Sequence, residues 1–308
     1  MILPMAGADT SPRSPLAALL DEHAPAEGLN TTHVPALTLH RFSEPLRRSA
    51  MLYDPCLCMV AQGSKCVHLG GKIYEYSPSH YLVVSLPLPV EAELSSATPA
   101  RPLLALVLRL DVAQLAQLIL EMGGVTSRSR AGNQPAVFVA AVSAELQAAV
   151  VHLVRLAVEP TQARVLGTGA VREVLYHLIL GEHGKLLRDL ALRDGTSQRV
   201  ARAVKYVNDH YDQAIDVATL ARKNGMSAST LHHAFKGVTA MSPIQYQKSV
   251  RLHRARLLML TDGLNAGEAS FRVGYGSQSQ FSREFKRMFG ESPTQSVRAL
   301  KRQLGASA

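Results

Sequence analysis

Residues 234–243 read AFKGVTAMSP, and residues 284–293 read EFKRMFGESP. The two stretches match at an offset of 50: Phe235 with Phe285, Lys236 with Lys286, and Ser242-Pro243 with Ser292-Pro293. Upstream the same offset pairs Ser227 with Ser277 and Leu231 with Phe281. It then becomes 49, pairing Gly225 with Gly274 and Ala221 with Ser270. The second copy therefore carries one inserted residue in its turn. Self-similarity of this kind constrains architecture more than any local propensity.

Each copy has the same punctuation. Asp216 is placed to cap a short helix, DVATLARK, whose Val217, Leu220 and Ala221 share a face. Asn224-Gly225 breaks it, and Gly225 suits the positive φ of a tight helix–helix turn. Ser227 is placed to cap a second helix with Leu231 and Phe235 pointing inward. In the second copy Asn265 is the cap and Gly274-Tyr275-Gly276 the turn. Ser277-Gln278-Ser279-Gln280 then reads as an S-x-x-Q capping box, with Phe281 and Phe285 inward. Helix, Gly-containing turn, helix, written twice, predicts two helix-turn-helix units with reading helices at about 228–238 and 278–289. Pro243 and Pro293 sit at the first position of a following helix.

Between the copies lies PIQYQKSVRLHRARLLML (243–260). Leu252, Ala255, Leu258 and Met259 form an apolar stripe, and Lys248, Arg251 and Arg254 a basic one. Such a helix spans roughly 27 Å. Successive major grooves on one face of a duplex lie about 34 Å apart. A stiff rod of this size would let two reading helices enter neighbouring grooves.

Charge agrees. From residue 196 onward there are 17 Lys/Arg against 7 Asp/Glu, leaving 16 against 17 in the rest of the 308-residue chain. The excess behind the net +9 is therefore confined to the segment with the repeat, which points to a polyanion partner there.

These marks resemble the AraC/XylS family of bacterial activators. They comprise Leu220-Ala221, Gly225, Ser227, Leu231, Phe235-Lys236, Ser242-Pro243, Tyr246, Arg251, Ala255 and Leu258, then Val273-Gly274-Tyr275, Ser277, Gln280-Phe281-Ser282, Phe285-Lys286, Phe289-Gly290 and Ser292-Pro293. About 100 residues match in order and spacing. Two positions depart: Ala240 stands where Gly is usual, which weakens a helix C-cap, and Ala269-Ser270 replaces Ile-Ala, which loosens packing. The resemblance implies double-stranded promoter DNA and RNA polymerase as partners. It places base reading at Ser229 and His233, and at Gln278, Ser279, Ser282 and Arg283. His232 shares the outer face of the first reading helix. Gln pairs with adenine and Arg with guanine, so the second helix is the stronger discriminator. Lys236, Lys248, Arg251, Lys286 and Arg287 are expected on phosphates, which position without specifying. A metal site at His232, His233 and His253 is not expected, because no acidic or Cys ligand accompanies them.

The N-terminal half reads differently. CLCMVAQ, KCVHL, KIYEY, YLVVSL, VEAEL and LLALVLRL are short runs broken by Gly, Pro and Ser, which suggests a small β-barrel or jelly roll. Residues 112–122, 143–158 and 162–180 have helical spacing, as in Val150, Leu153, Val154 and Ala157, or Val165, Val171, Leu175 and Leu178. They pack on the barrel or make a dimer contact. The expected fold is thus α+β and multidomain. Residues 1–25 form a disordered leader, 26–185 a strand-rich domain with helices, 186–197 a linker, 198–302 an all-α DNA-binding domain, and 303–308 a tail.

Pro55, Gln62-Gly63, Lys65, Gly70, Glu75-Tyr76, Tyr81, Pro87, Pro89 and Arg101-Pro102 resemble the cupin-like N-terminal domain of one AraC-type subgroup. That implies a domain that senses an unidentified small-molecule effector. Gln62, Lys65, Tyr76 and Tyr81 are its candidate lining residues. His33, His40, His68 and His80 are scattered, without the paired H-x-H of a cupin metal site, so neither metal nor cofactor is expected. Cys56, Cys58 and Cys66 fall on runs read as adjacent strands, near Lys65, which would lower a thiol pKa and favour reaction with electrophiles or oxidants. The plainer reading is three small buried hydrophobes.

Three cysteines are no disulfide framework, the N-terminus lacks the pattern of a signal peptide, and no apolar run reaches the length of a membrane span. The chain reads as a bacterial cytoplasmic homodimer and not as an enzyme. Two alternatives stay open: a cupin enzyme with a DNA-targeting tail, and a DNA-binding protein whose barrel only dimerises. Missing metal-ligand spacing, and the lack of a phosphate loop or nucleophile elbow, count against the first.

Overall fold

The computed structural model describes residues 14–94, 96–123, 135–191 and 196–303. Strands of the N-terminal half form two antiparallel sheets. The first orders β1 (Gly28–Thr31), β2 (Leu37–Phe42), β9 (Leu103–Arg109), β4 (Cys56–Gln62), β7 (His80–Val84) and β10 (Val137–Ala141). The second orders β3 (Leu46–Tyr53), β8 (Leu88–Leu94), β5 (Lys65–Leu69) and β6 (Lys72–Tyr76).

Strand period explains the two faces of the first sheet. In β4, Leu57, Met59 and Ala61 join one core, while Cys56, Cys58 and Val60 join the other. Because both faces are covered, β4 reads as a continuous apolar run. The outer face is covered by α1 (Pro15–His23), α2 (Val112–Glu121), α3 (Ala144–Ala157), α4 (Pro160–Leu180) and α5 (Gly184–Ala191). The inner face looks towards the second sheet, which supplies Val67, Leu69, Leu88, Val90 and Leu94.

Three expectations are corrected. Part of the supposed leader is α1: Ser14 caps it, Pro15 opens it, and Leu16, Ala17 and Leu20 are buried on the outer face. Residues 1–13 lie outside the described residues. The supposed linker begins as helix α5, whose Leu187 and Ala191 are buried against the same core. Val165 does not share the buried face of Val171, Leu175 and Leu178; it is 69% exposed.

The C-terminal part is helical: α6 (Thr196–Asp209), α7 (Val217–Lys223), α8 (Ala228–Thr239), α9 (Pro243–Thr261), α10 (Ala266–Arg272), α11 (Gln278–Phe289) and α12 (Pro293–Gln303). Asp216, Ser227, Ser242 and Asn265 cap α7, α8, α9 and α10. The core of the first unit is continuous with the space between the sheets. Two hydrogen bonds cross that seam from α9: Tyr246 Oη donates to the Pro87 carbonyl at 2.7 Å, and Arg256 Nη2 to the Ala50 carbonyl at 2.8 Å. Among the described residues no helix is long and apolar enough to cross a membrane.

Candidate DNA interface and effector site

The two helix-turn-helix units are built alike. In the first, α7 ends at Asn224, Gly225 turns at φ +64°, and Met226 is buried before the Ser227 cap. In the second, α10 ends at Val273, Gly274 turns at φ +85°, Tyr275 takes the buried place, and Gly276 precedes the Ser277 cap. Gly276 is thus the inserted residue. Met226 N donates to Ala221 O and Tyr275 N to Ser270 O, each at 3.0 Å, so both turns close in the same way.

Leu231, Phe235, Phe281 and Phe285 are fully buried. That turns the other faces of α8 and α11 outward. Ser229, His232, His233, Gln278, Ser279 and Arg283 are exposed, and Ser282 is half-buried. Lys236, Lys286 and Arg287 are exposed beside them. His232 and His233 stand edge to face, 5.9 Å between ring centroids. The Ser277 side chain accepts from Gln280 N at 3.4 Å, but the Gln280 amide turns to Glu284, so the expected capping box is half made.

Two residues expected on phosphate have partners within the chain. Arg251 is turned inward: Nε donates to the Tyr211 carbonyl at 2.5 Å, Nη1 to Gly274 at 2.8 Å and Nη2 to Gln213 at 2.9 Å. Its donors are committed to backbone that sequence reading could not bring together. Lys248 pairs with Glu284 at 2.8 Å. Glu284 also accepts from Tyr275 Oη at 2.8 Å and from Gln280 at 3.2 Å. Burial would raise its pKa, but the Lys248, Tyr275 and Gln280 hydrogen bonds outweigh it and hold the carboxylate low. Ser270 does not leave a loose polar group in the core, because its hydroxyl donates to the Gly267 carbonyl at 2.7 Å.

The second candidate region is the space between the sheets. Lys65, on β5, extends to within 5.3 Å of the Tyr53 ring centroid. Tyr76 pairs with Lys65 across the β5–β6 register and is 2% exposed. Cys56 and Cys58 lie together on the facing sheet, Sγ to Sγ 3.6 Å. The Tyr53 and Tyr76 hydroxyls are buried without hydrogen-bond partners. His40 belongs here too: Leu37 and Leu39 face the helices, so His40 faces inward, bound to Thr38 Oγ1 at 3.0 Å. Burial, and then the Lys65 charge, push its pKa down to about 4.

Of the polar side chains in this interior, the sequence reading names Lys65 and Tyr76 as candidate lining residues and does not name Tyr53 or His40. Gln62 sits at the end of β4 and donates to the Pro102 carbonyl at 2.8 Å. Tyr81 is a correction. With Val83 it points to the helix-covered face, its hydroxyl beside Gly181, one strand position out of phase with the interior. The cysteines are corrected as well. β4 and β5 belong to different sheets, and Cys66 lies one residue out of phase with Lys65, beside Glu75 and Glu93. Burial and those carboxylates raise the Cys66 pKa. Cys56 is raised by its hydrogen bond to Cys58, and Cys58 is lowered by the same bond despite its burial. Among the described residues there is no cluster of potential metal ligands.

A family model described as the AraC-type transcriptional regulator N-terminus matches residues 33–186, and a helix-turn-helix domain model matches residues 220–299. The transcriptional activator RhaS of Citrobacter koseri is 31% identical over 127 residues, 40% of this chain and 44% of that protein. The arabinose operon regulatory protein of Escherichia coli is 31% identical over 106 residues, 34% of this chain and 36% of that protein. The chain thus spans less than half the length of the curated relatives it matches. Among solved structures, ToxT of Vibrio cholerae superposes with a TM-score of 0.56 at 13% identity, covering 86% of this chain and 97% of that one. Another ToxT structure from Vibrio cholerae gives 0.54 at 13%, over 85% and 97%.

Proposed function

Because the chain belongs to the AraC-type transcriptional regulators, we propose that it reads promoter DNA with α8 and α11 and answers a small-molecule effector held between its sheets. One observation carries the first part. Six of the seven side chains nominated for base contact are exposed on the second helices of two matched units, while their inward partners are fully buried. Arg283 and Gln278 take guanine and adenine, and Lys236, Lys286 and Arg287 take phosphates. The buried polar groups between the sheets supply an effector with the few oriented contacts that ligand sites use. The seam of α9 with β3 and β8 gives an effector a route to the readers. RNA polymerase and a second copy of the chain complete the reading, the copy meeting α4, where Val165, Leu166, Tyr176 and Leu180 are exposed. The chain acts as a bacterial cytoplasmic regulator, not an enzyme.

The test is to map bound sites genome-wide and titrate the full chain onto a recovered duplex across salt concentrations. Specific binding should weaken with a log–log slope of roughly −0.9 per phosphate neutralised. Salt-insensitive binding, or no site-specific binding, would refute the reading.

A further inference from the structure

A cleft of about 500 Å³ opens on the helix-covered side of the first sheet, away from the space between the sheets. That volume is in the range of small-molecule sites. The loop ahead of β2, the junction of β9 with α2, and the first half of α4 enclose it. Its floor is apolar: Val34, Leu110, Ala163 and Val171 all line it and are all buried. The floor is closed where α4 meets the loop at Gly167, since a Cβ there would stand 2.8 Å from Val34 Cγ2.

Two opposite charges border the cleft, Arg109 and Asp111. Both are exposed, with the buried Leu110 between them, as alternation along extended backbone requires. Charges so placed would ordinarily find each other, yet among the described residues neither is in an ion pair. Each is tied instead to backbone by one bond. Arg109 Nη2 donates to the Pro35 carbonyl at 3.2 Å, on the loop that forms the opposite wall. Asp111 Oδ1 accepts from Ala113 N at 2.8 Å, as the N-cap of α2. The remaining guanidinium donors and the second carboxylate oxygen are left for a ligand. The two charges are thus held apart and set in advance, which lowers the ordering cost of a molecule that meets both.

The complement follows from the charges. A carboxylate alone would meet Arg109 and face Asp111. An amine alone would meet Asp111 and face Arg109. A neutral polyol would use neither charge and would lay hydroxyls on an apolar floor. We infer that this cleft binds a zwitterionic amino acid with an apolar side chain, its carboxylate on Arg109, its ammonium on Asp111 and its side chain on the floor. No bond is made or broken. This is a second site, separate from the effector reading above, because its floor belongs to the core on the opposite face of the first sheet from Tyr76. It also touches α4 beside the exposed Val165 and Leu166, so the ligand bears on the helix given above to a second copy.

The experiment is calorimetric titration of the full chain with leucine, methionine and phenylalanine at millimolar concentration. Each is run alongside the acid that lacks its ammonium and the amine that lacks its carboxylate. At least one amino acid should bind, with both one-charge analogues about fivefold weaker or more. Asp111→Asn should weaken it by a similar factor without loss of thermal stability, because Asn caps a helix as well as Asp does. Arg109→Gln should do the same, and Thr168→Trp, on the exposed rim of α4, should abolish binding by filling the mouth. Failure of every amino acid to bind overturns the inference. So does binding that is indifferent to both Asp111→Asn and Arg109→Gln, which would put the ligand elsewhere. Equal binding of an amino acid and its one-charge acid overturns the zwitterion.

Discussion

Arg251 donates from Nη1 to the carbonyl of Gly274 at 2.8 Å, while its other nitrogens hold the carbonyls of Tyr211 and Gln213. One guanidinium on the α9 rod therefore ties the turn of the second helix-turn-helix unit to the loop that leads into the first. Gln247, one helical turn earlier, binds the Tyr211 and Gln213 carbonyls as well, at 3.0 and 2.5 Å. The two reading helices owe their relative setting to this knot as much as to the length of α9.

Arg251→Ala should destabilise the C-terminal part by about 2–4 kcal/mol, because two half-buried carbonyls and the exposed Gln213 carbonyl lose a charged donor. DNA affinity should fall with it, yet the salt slope should not change. A phosphate contact would behave in the opposite way, costing little stability and flattening the slope by about 1. Urea unfolding and a salt titration on the same variant separate the two.

The turn glycines of the second unit should differ sharply. At Gly274 a Cβ would lie 1.9 Å from the Asp212 carbonyl oxygen, and φ is +85°. At Gly276 a Cβ meets nothing within 4 Å. Gly274→Ala should therefore destabilise severely, by more than about 3 kcal/mol, and Gly276→Ala by less than about 1 kcal/mol. Comparable losses in thermal unfolding would contradict the close approach described here.

The contrast shows what local sequence reveals. Caps, breakers and inward apolar pairs lie within a few residues of one another, so α7, α8, α10 and α11 were legible to within a residue or two. Arg251 was not. Its basic stripe with Lys248 and Arg254 looks like a surface, and its three partners come from 23 to 40 residues away. The same holds for α5, whose DGTSQ flank reads as a linker because the surfaces that bury Leu187 belong to distant elements. Strands β4 to β9 stood out as apolar runs. β3, LRRSAMLY, did not, because as an edge strand it keeps its two arginines exposed. Tyr81 was misplaced by a single strand position, which is enough to exchange one face for the other.

Ala240→Gly should stabilise the protein. Ala240 caps α8 at φ +61°, the only non-glycine among the described residues with positive φ. That conformation costs an L-residue about 1–2 kcal/mol, offset in part by the greater freedom of glycine in the unfolded chain. A net gain of about 0.5–1 kcal/mol is expected in urea unfolding. Gly70→Ala should act the other way, since its Cβ would lie too close to that of Ala240 across the seam.

Arg283→Ala and Lys286→Ala should separate reading from positioning. Both side chains are exposed on α11. Loss of Arg283 should cost about 1–3 kcal/mol on a cognate duplex and relax the preference at one base pair. Loss of Lys286 should weaken cognate and unrelated duplexes alike and reduce the salt slope by about 1. Equal cognate affinity of wild type and Arg283→Ala would remove Arg283 from the base-reading set.

Acid should destabilise the fold through His253. Its ring is buried on α9, edge-on to Phe289 at 5.2 Å, with Nε2 unpartnered. Burial, and then the nearby Arg256 charge, depress its pKa from 6.5 to about 3. The folded chain therefore binds fewer protons than the unfolded chain between those values. The contribution is whole above the unfolded pKa and is lost as pH falls towards the folded one. His40, depressed to about 4, acts with the same sign. Going from about pH 7 to about pH 5 should cost about 1–2 kcal/mol for each histidine. His253→Leu should remove one share of that loss while leaving the dependence above about pH 7 unchanged. An identical acid sensitivity of the variant in urea unfolding would mean that the His253 ring takes up its proton as readily in the folded chain as in the unfolded one.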